Sequence, residues 1–310
     1  MTRVAVTGAT GFLGRHVLHH LLRKGMRPVA LGRSATRLRT LGDIDTRPVD
    51  FDSPVPALAS SLEGCRAVIH LADDPDRTSS DASSSSRLAR NVALAAQEAG
   101  CERLIFASSI YASLHERGGE GENAYGKGKL AAEQALASLA KDGKAPPCVV
   151  LRLPPVFGPG SKGSVAFLST MIAKGVPLPF AKAKALRDYL YVGNLATLCG
   201  HLVTCDPGAF VDLAGHPHEP CDRAPVSTAR LSRIIASAMD KRVVLLPIPR
   251  SILSNLARVA GRQDQIDAAF SELRCRPADT LQSLAGWDPS SDLEANLSYL
   301  RESQLAPSGA

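Results

Sequence analysis

The sequence predicts an α/β protein whose larger part is a doubly wound parallel sheet and whose smaller part is a C-terminal region. Three observations predict this architecture. An apolar strand near the N-terminus runs directly into a glycine-rich turn, strand and helix patterns then alternate as far as Leu153, and from Pro154 onward prolines interrupt the pattern. Such alternation favours parallel strands joined by helical crossovers. A chain of 310 residues has room for one large domain and a smaller addition.

The first strand and its turn point to anion binding. A short run with two β-branched valines ends at Thr7, and glycines follow at positions 8, 11 and 14 before leucine and valine recur at helical spacing. A helix that starts at such a turn offers free N–H groups and its positive dipole end to a pyrophosphate. Gly8 permits a tight turn, Gly11 allows close approach of the ligand, and Gly14 allows close helix packing. The G-x-x-G-x-x-G spacing, one residue longer than the Rossmann G-x-G-x-x-G, predicts a dinucleotide site of Rossmann type.

The second predicted strand, Pro28 to Leu31, bears on the choice of cofactor. An NAD site is expected to carry an acidic residue about 20 residues after the glycines. Arg33 occupies that place, no Asp or Glu stands between Leu31 and Leu41, and Arg37 is a second nearby arginine. A guanidinium suits a 2′-phosphate, so NADP is favoured over NAD. The alternative is that Arg33 only stacks on adenine, which leaves NAD open.

The remaining alternation defines the expected domains. Further strands are predicted at Thr46–Val49, Ala67–Leu71, Arg103–Ala107 and Val149–Leu153, with a serine-rich loop at 78–86 and helices at about 87–99 and 124–140. A strand at Phe210–Leu213 is expected to rejoin the main sheet. The predicted boundaries are 1–155 for the dinucleotide-binding domain with 186–213 rejoining it, 156–185 and 214–304 for the substrate-binding region, and 305–310 for a disordered tail.

Composition narrows the function classes. The net charge of +6 is carried by dispersed basic residues and aromatic residues make up only 5%, so an anionic small molecule is a better partner than nucleic acid. No apolar run approaches the roughly 20 residues that span a bilayer, and the N-terminus lacks the apolar core of a signal peptide. The seven cysteines are scattered and form neither a disulfide framework nor a zinc pattern. We expect a cytoplasmic protein without a membrane partner or a bound metal.

Tyr125 and Lys129 are the predicted catalytic pair. They lie four residues apart on a predicted helix, which places both on one face. A free tyrosine has a pKa near 10, too high for a base at neutral pH, but a neighbouring ammonium and an oxidised nicotinamide favour the phenolate. The tyrosine then exchanges a proton with a substrate hydroxyl or carbonyl while hydride moves. Ser109, with Ser108 as the alternative, stands at a strand end where its hydroxyl can steady the reacting oxygen.

The stretch from Val6 to Gly14 resembles the opening of the extended short-chain dehydrogenase/reductase family, and within it the nucleotide-sugar epimerase, dehydratase and 4-keto-reductase group. The resemblance extends to about Tyr299. It implies the catalytic role of a serine at the place of Ser109 and a lysine that holds the nicotinamide ribose. The cofactor contacts that it implies are Gly8, Thr10, Gly11, Phe12, Leu13, Gly14, Asp50, Phe51, Leu71, Ala72, Tyr125, Lys129 and Pro154.

The same resemblance implies the substrate contacts. Arg187-Asp188-Tyr189 is similar to the segment whose arginine grips the diphosphate of a UDP-sugar, and Ser164 stands where relatives often have asparagine. Arg262 and Arg274 are the two candidates for a second diphosphate-binding arginine. Members of the family often form homodimers, so a homodimer is a possible assembly.

The expected function is C4 epimerisation or 4-keto reduction of a nucleotide sugar, such as a UDP-hexose, with NADP or NAD. Ile110-Tyr111 follows Ser109 where dehydratases place an acidic pair, so dehydration is disfavoured. Two alternatives remain: an NADP-dependent reductase of a non-sugar carbonyl, and a non-catalytic NADP-binding sensor.

Overall fold

The computed structural model describes residues 1–73, 82–118, 123–222, 224–259, 263–276, 279–289 and 293–301. In chain order, the first elements are β1 (Arg3–Thr7), α1 (Phe12–Arg23), β2 (Arg27–Gly32), α2 (Ala35–Arg39), β3 (Asp45–Pro48), α3 (Val55–Leu62), β4 (Ala67–His70), α4 (Ala82–Glu98), β5 (Arg103–Ser109), α5 (Ile110–Arg117), α6 (Ala124–Lys141) and β6 (Cys148–Leu153). The later elements are β7 (Val156–Phe157), α7 (Ser164–Ala173), β8 (Leu186–Arg187), β9 (Leu190–Tyr191), α8 (Val192–Thr204), α9 (Pro207–Leu213), β10 (Val226–Ser227), α10 (Thr228–Ala238), α11 (Arg250–Val259), α12 (Gln263–Phe270), α13 (Asp279–Ala285) and α14 (Leu293–Asn296).

The chain divides into two compact units. Unit 1 comprises Met1–Leu153, Gly193–Pro220 and Arg276–Asp288. Unit 2 comprises Pro154–Val192, Cys221–Cys275 and the described part of Pro289–Ala310.

Within the described residues, unit 1 is built on a six-stranded parallel sheet in the order β3-β2-β1-β4-β5-β6. Central residues such as Val6 and Ile69 are fully buried, as expected of parallel strands packed between helices. The chain runs outward from β1 to β3 and then crosses to β4 on the other side of β1. The carboxyl ends of β1 and β4 therefore border a topological switch point, the usual ligand cleft of such sheets. The predicted doubly wound α/β fold is confirmed.

The helices α6 and α4, which flank the sheet, begin for different reasons. The side chain of Asn123 caps α6 by accepting a hydrogen bond from the N–H of Gly126 at 2.7 Å, which fixes the start of the helix that carries the predicted catalytic pair. Helix α4 begins at Ala82, although the sequence predicts a loop to residue 86. Serine is only mildly unfavourable inside a helix, and packing of α4 against α3 and α6 outweighs that preference. The earlier part of the predicted loop, 78–81, lies outside the described residues.

The segment that returns to unit 1 differs from the prediction in form and position. Phe210–Leu213 is predicted as a strand but is part of α9, because Pro207 suits a first helical turn and Asp206 accepts hydrogen bonds from two N–H groups of that turn. The chain rejoins the sheet further on, where His218 bridges to Leu151 of β6.

The residues at 186–192, predicted to return with that segment, lie in unit 2. There β8 pairs with β10 and β9 pairs with β7 around an apolar core of that unit. In the part of the chain that is described, no helix has the length and apolar character needed to cross a membrane.

Candidate cofactor and catalytic site

A cavity of about 470 Å³ lies in unit 1 at the carboxyl ends of the central strands. Its size falls in the range of roughly 300–1,000 Å³ that small-molecule sites occupy. Nine of its lining residues were singled out from the sequence: Gly8, Thr10, Gly11, Arg33, Arg37, Asp50, Phe51, Leu71 and Ala72. Seven others were not: Gly32, Ser34, Asp52, Asp73, Ser84, Arg87 and Leu88. Phe12, Leu13 and Gly14 begin α1 behind the turn and are not among the lining residues.

The glycine turn has the geometry of a cradle for an anion. Gly8 has a φ of +66°, and a Cβ there would lie 2.7 Å from the backbone N of Ala72, so glycine lets β1 and β4 approach closely. A Cβ on Gly14 would lie 2.7 Å from the Cα of Ala9, so glycine also lets α1 pack on the turn itself. Gly11 is exposed, lines the cavity and forms the N-cap of α1. The residues present therefore fit the diphosphate of a dinucleotide.

One end of the cavity, beyond β2 and β3, is rich in arginine. Arg33 is exposed, and among the described residues its guanidinium makes no hydrogen bond or ion pair. Arg87 of α4, which was not predicted from the sequence as a site residue, forms an ion pair of 3.0 Å with Asp52. Phe51 is buried beside them and offers an apolar surface. Exposed guanidinium groups beside an apolar wall suit a phosphorylated nucleoside.

Lys129 lies beside β5, on the side of the sheet order away from β2 and β3. It is almost fully buried, and its Nζ donates to the carbonyl of Ala107 at 3.2 Å and pairs with the Oδ1 of Asp73 at 3.2 Å. The same Nζ lies 5.8 Å from the ring centroid of Tyr125. The predicted pair thus shares one face of α6, with the ammonium close to the half-buried tyrosine ring.

The two serines at the end of β5 have different partners. Ser108 donates a short hydrogen bond to the carboxylate of Glu133, which Arg152 clamps through two nitrogens, with Nη2 at 2.6 Å from Oε2. Burial alone would lower the pKa of Arg152, but its hydrogen bonds with Glu133 and Glu116 outweigh burial and raise it. Ser109 accepts from the N–H of Tyr111 at 3.3 Å as the cap of α5, a contact that does not use its own proton. Because the Ser108 proton is donated to Glu133, this geometry favours Ser109 over Ser108 as the serine that donates a hydrogen bond to a ligand.

His70, at the end of β4, takes part in a hydrogen-bond chain that connects the carboxyl ends of β1 and β4. Its Nδ1 lies 2.6 Å from the hydroxyl of Thr7, and that hydroxyl accepts from the N–H of Ala72 at 3.1 Å. Which of the two groups donates in the Thr7–His70 hydrogen bond depends on the imidazole tautomer, and among the described residues the buried Nε2 has no hydrogen-bond partner. Burial, and next the charge of Lys129, lower the pKa of His70 to about 3. His70 is a neutral structural residue at physiological pH.

This burial predicts an acid-dependent loss of stability. An unfolded imidazole takes up a proton below about pH 6.5, whereas the folded His70 does so only near pH 3, so the unfolded state binds more protons in that window. Between pH 7.5 and 5.0, the parent should lose about 2 kcal/mol more unfolding free energy than His70→Asn. Urea titrations at both pH values measure the difference. The exposed His19→Asn should behave like the parent, and equal losses in the parent and His70→Asn would contradict the assignment.

Three predicted contacts lie in unit 2. Pro154 is buried, and Ser164 is exposed at the first position of α7. Arg187 is only 5% exposed, and its Nη1 donates to the carbonyl of Ser271 at 2.8 Å. Arg274, one of the two candidates for a second diphosphate-binding arginine, donates from Nε to Asp188 at 3.1 Å; Arg262 lies outside the described residues.

One thiol-rich cluster in unit 2 has the residue types of a metal site. One potential ligand atom from each of Asp188, Cys221 and Cys275 lies within 4.8 Å of the other two. The Oδ2 of Asp188, however, already accepts from Arg274 and from the N–H of Cys275 at 2.8 Å. The Asp188 carboxylate already has a positively charged partner in Arg274, so it is a poor ligand for a metal cation.

Comparisons with known proteins show the family to which this chain belongs. A sequence model of the NAD-dependent epimerase/dehydratase family matches residues 4–209. A UDP-glucose 4-epimerase of Vibrio cholerae is 30% identical over 319 residues, covering 94% of this chain and 92% of that protein. The structure of a UDP-N-acetylglucosamine 4-epimerase from Bacillus cereus superposes with a TM-score of 0.77 at 18% identity, covering 99% of this chain and 100% of the other. A UDP-glucose 4-epimerase of Thermus thermophilus in complex with NAD gives 0.72 at 21% identity, covering 97% and 98%.

Proposed function

Because this chain belongs to the NAD-dependent epimerase/dehydratase family, we propose that it acts at C4 of a nucleotide sugar, by 4-epimerisation or by 4-keto reduction. Family membership makes it an enzyme of the extended short-chain dehydrogenase/reductase type, which removes the alternative of a non-catalytic sensor. The observation that carries the proposal is the Tyr125–Lys129 pair on α6, in the unit that also holds the glycine-lined cavity. The similarity to a UDP-glucose 4-epimerase supports a UDP-hexose as the substrate.

In this proposal each catalytic side chain has one task. A bound nicotinamide would supply the hydride exchange with the sugar carbon. Tyr125 moves the proton of the oxygen on that carbon, and the Lys129 ammonium near its ring favours the phenolate while it holds the nicotinamide ribose. Ser109 donates its hydroxyl proton to the same oxygen and steadies its developing charge. Glu133 and Arg152 fix the end of β5 through Ser108 and thereby position Ser109.

NADP is the proposed preference over NAD. Arg33 and Arg37 line the cavity with exposed guanidinium groups, and a 2′-phosphate would give them charge-assisted hydrogen bonds. Asp50 and Asp52 line the same cavity. Asp52 is paired with Arg87, which offsets its repulsion of a phosphate. In either case the Gly8–Gly11 turn would hold the diphosphate.

Arg187 is the proposed diphosphate contact of the sugar nucleotide. Arg187→Ala should raise the KM for a UDP-sugar by roughly ten- to a hundredfold, the loss expected for one charge-assisted hydrogen bond, with dinucleotide affinity unchanged. Steady-state kinetics at saturating dinucleotide measure it. The exposed Arg233→Ala on α10 serves as the control and should keep the parental KM. An unchanged KM in Arg187→Ala would move the substrate site elsewhere.

A substrate panel tests the function itself. Purified protein is incubated with UDP-hexoses, with UDP-4-keto-hexoses, and with aromatic and steroid ketones, each with NADP(H) and NAD(H), and the products are identified by NMR. A change at C4 of a UDP-sugar supports the proposal. Reduction of a non-sugar ketone without turnover of any UDP-sugar would favour the other carbonyl-reductase function and contradict this one.

A further inference from the structure

Asp73 carries a largely buried carboxylate, and it is not among the cofactor contacts predicted from the sequence. It comes directly after Leu71-Ala72, at the carboxyl end of β4, and it lines the cavity. Its Oδ1 lies 3.2 Å from the Nζ of Lys129 and accepts a hydrogen bond from the hydroxyl of Ser85 at 3.4 Å. Only 17% of its side chain is exposed, and the carboxylate contacts residues of two helices, Ser85 of α4 and Lys129 of α6.

The strand order decides which part of a dinucleotide reaches Asp73. The exposed Arg33 follows β2, the glycine turn follows β1, Asp73 follows β4, and Ala107, which binds Lys129, belongs to β5. A dinucleotide with its 2′-phosphate at Arg33 and its diphosphate at the turn therefore extends its second half toward β4 and β5. That half begins with the ribose joined to nicotinamide.

The Asp73–Lys129 pair matches the chemistry of a ribose diol. Each hydroxyl of a diol both donates and accepts, so it is best held by one acceptor and one donor side by side. A carboxylate that receives ribose hydroxyls is already the device by which related sheets hold the other ribose. A bare carboxylate here would repel the nearby diphosphate, but the ammonium at 3.2 Å neutralises it.

We propose that Asp73 is a cofactor-binding residue that accepts a hydrogen bond from a hydroxyl of the nicotinamide-side ribose, while Lys129 donates to that diol. The inference rests on the proposed binding of a dinucleotide in this cavity. It is independent of which sugar or carbonyl is the substrate.

Truncated ligands test this contact without any turnover. NADPH and 2′-phospho-ADP-ribose both carry the second ribose, and adenosine 2′,5′-bisphosphate lacks it. Asp73→Ala should bind the first two about tenfold more weakly, as expected for one lost charge-assisted hydrogen bond, and should bind the third like the parent. The same series with NADH, ADP-ribose and AMP is measured in parallel, so a preference for NAD does not affect the result. Isothermal titration calorimetry gives each Kd.

Two further variants sharpen the outcome. Asp73→Asn keeps the shape and guards against misfolding of the alanine variant, and it should also favour the bisphosphate relative to NADPH. Asp52→Ala removes a carboxylate at the adenosine end and should change the affinities of all three ligands alike. An Asp73→Ala protein that binds NADPH as tightly as the parent, more tightly, or weaker by the same factor as the bisphosphate would overturn the proposal. If the parent binds no dinucleotide of either series, the proposed function fails together with it.

Discussion

Replacing Tyr125 with phenylalanine should lower kcat by about a hundredfold or more and leave the affinity for the dinucleotide at its parental value. The phenol is the proposed proton-transfer group, and the ring that remains fills the same half-buried space one helical turn before Lys129. Rapid-quench or steady-state rates at saturating UDP-sugar, with calorimetric titration of the cofactor, measure both quantities. The fold is checked by thermal unfolding, because Tyr125 lies in the first turn of a helix that packs against α4 and α5.

A second tyrosine provides the control for this result. Tyr299 is partly buried and packs against the apolar core of unit 2, and burial raises the pKa of its phenol to about 12. Tyr299→Phe should therefore keep the parental kcat, since that hydroxyl stays protonated at working pH. A Tyr125→Phe enzyme that turns over at nearly the parental rate would show that another group moves the proton.

Changing Arg33 to aspartate should shift the cofactor preference by more than about a hundredfold from NADPH toward NADH. The variant would remove the proposed charge-assisted hydrogen bond to the 2′-phosphate and place a repelling carboxylate in its stead, and both effects act on the same phosphate. The new carboxylate can also accept from the ribose hydroxyls of NADH, so binding of that cofactor should be retained or improved. Titrations of both cofactors into parent and variant measure the shift.

The matched control is Arg39→Asp, which makes the same charge change on α2 at an exposed arginine that is not among the cavity-lining residues. It should leave the preference in place. The parental preference for NADPH should shrink with added salt, because Arg33 is exposed and its contact is screened. Equal parental affinities, or an Arg33→Asp protein whose NADPH affinity is unmoved, would mean that Arg33 only stacks on adenine.

The parts of the site that lie next to each other in sequence could be predicted from it. The glycines at 8, 11 and 14 are recognisable by their spacing, and at Gly8 and Gly14 a Cβ would lie within 3 Å of backbone atoms, so these two positions require glycine. The helix of Tyr125 and Lys129 is likewise encoded by its own periodicity and by the cap at Asn123. The strands β1, β2, β4, β5 and β6 follow from short apolar runs, and their alternation with helices implies the parallel sheet.

Contacts between residues far apart in the chain could not be predicted in this way. The pairing of Asp73 with Lys129, and of Arg87 with Asp52, depends on the strand order, which brings β4 beside β5 and α4 beside the end of β3. Position alone gave one signal for Asp73, since it directly follows a strand whose carboxyl end borders the switch point. The helix α9 was missed for a local reason: the apolar run 210–213 fits strand and helix alike, and Asp206 with Pro207 decides in favour of the helix.

The central claim, hydride transfer between a nicotinamide and C4 of a UDP-sugar with Tyr125 as the proton carrier, is tested most directly by an isotope. A UDP-hexose that carries deuterium at C4 is mixed with the protein and oxidised dinucleotide, the reaction is quenched within one turnover, and the dinucleotide is analysed by mass spectrometry. The account predicts that deuterium enters the dinucleotide in the parent and in Tyr299→Phe, and that Tyr125→Phe transfers it at least about a hundredfold more slowly. A UDP-hexose that is converted while deuterium never enters the dinucleotide, or a Tyr125→Phe protein that transfers it at the parental rate, would contradict the account.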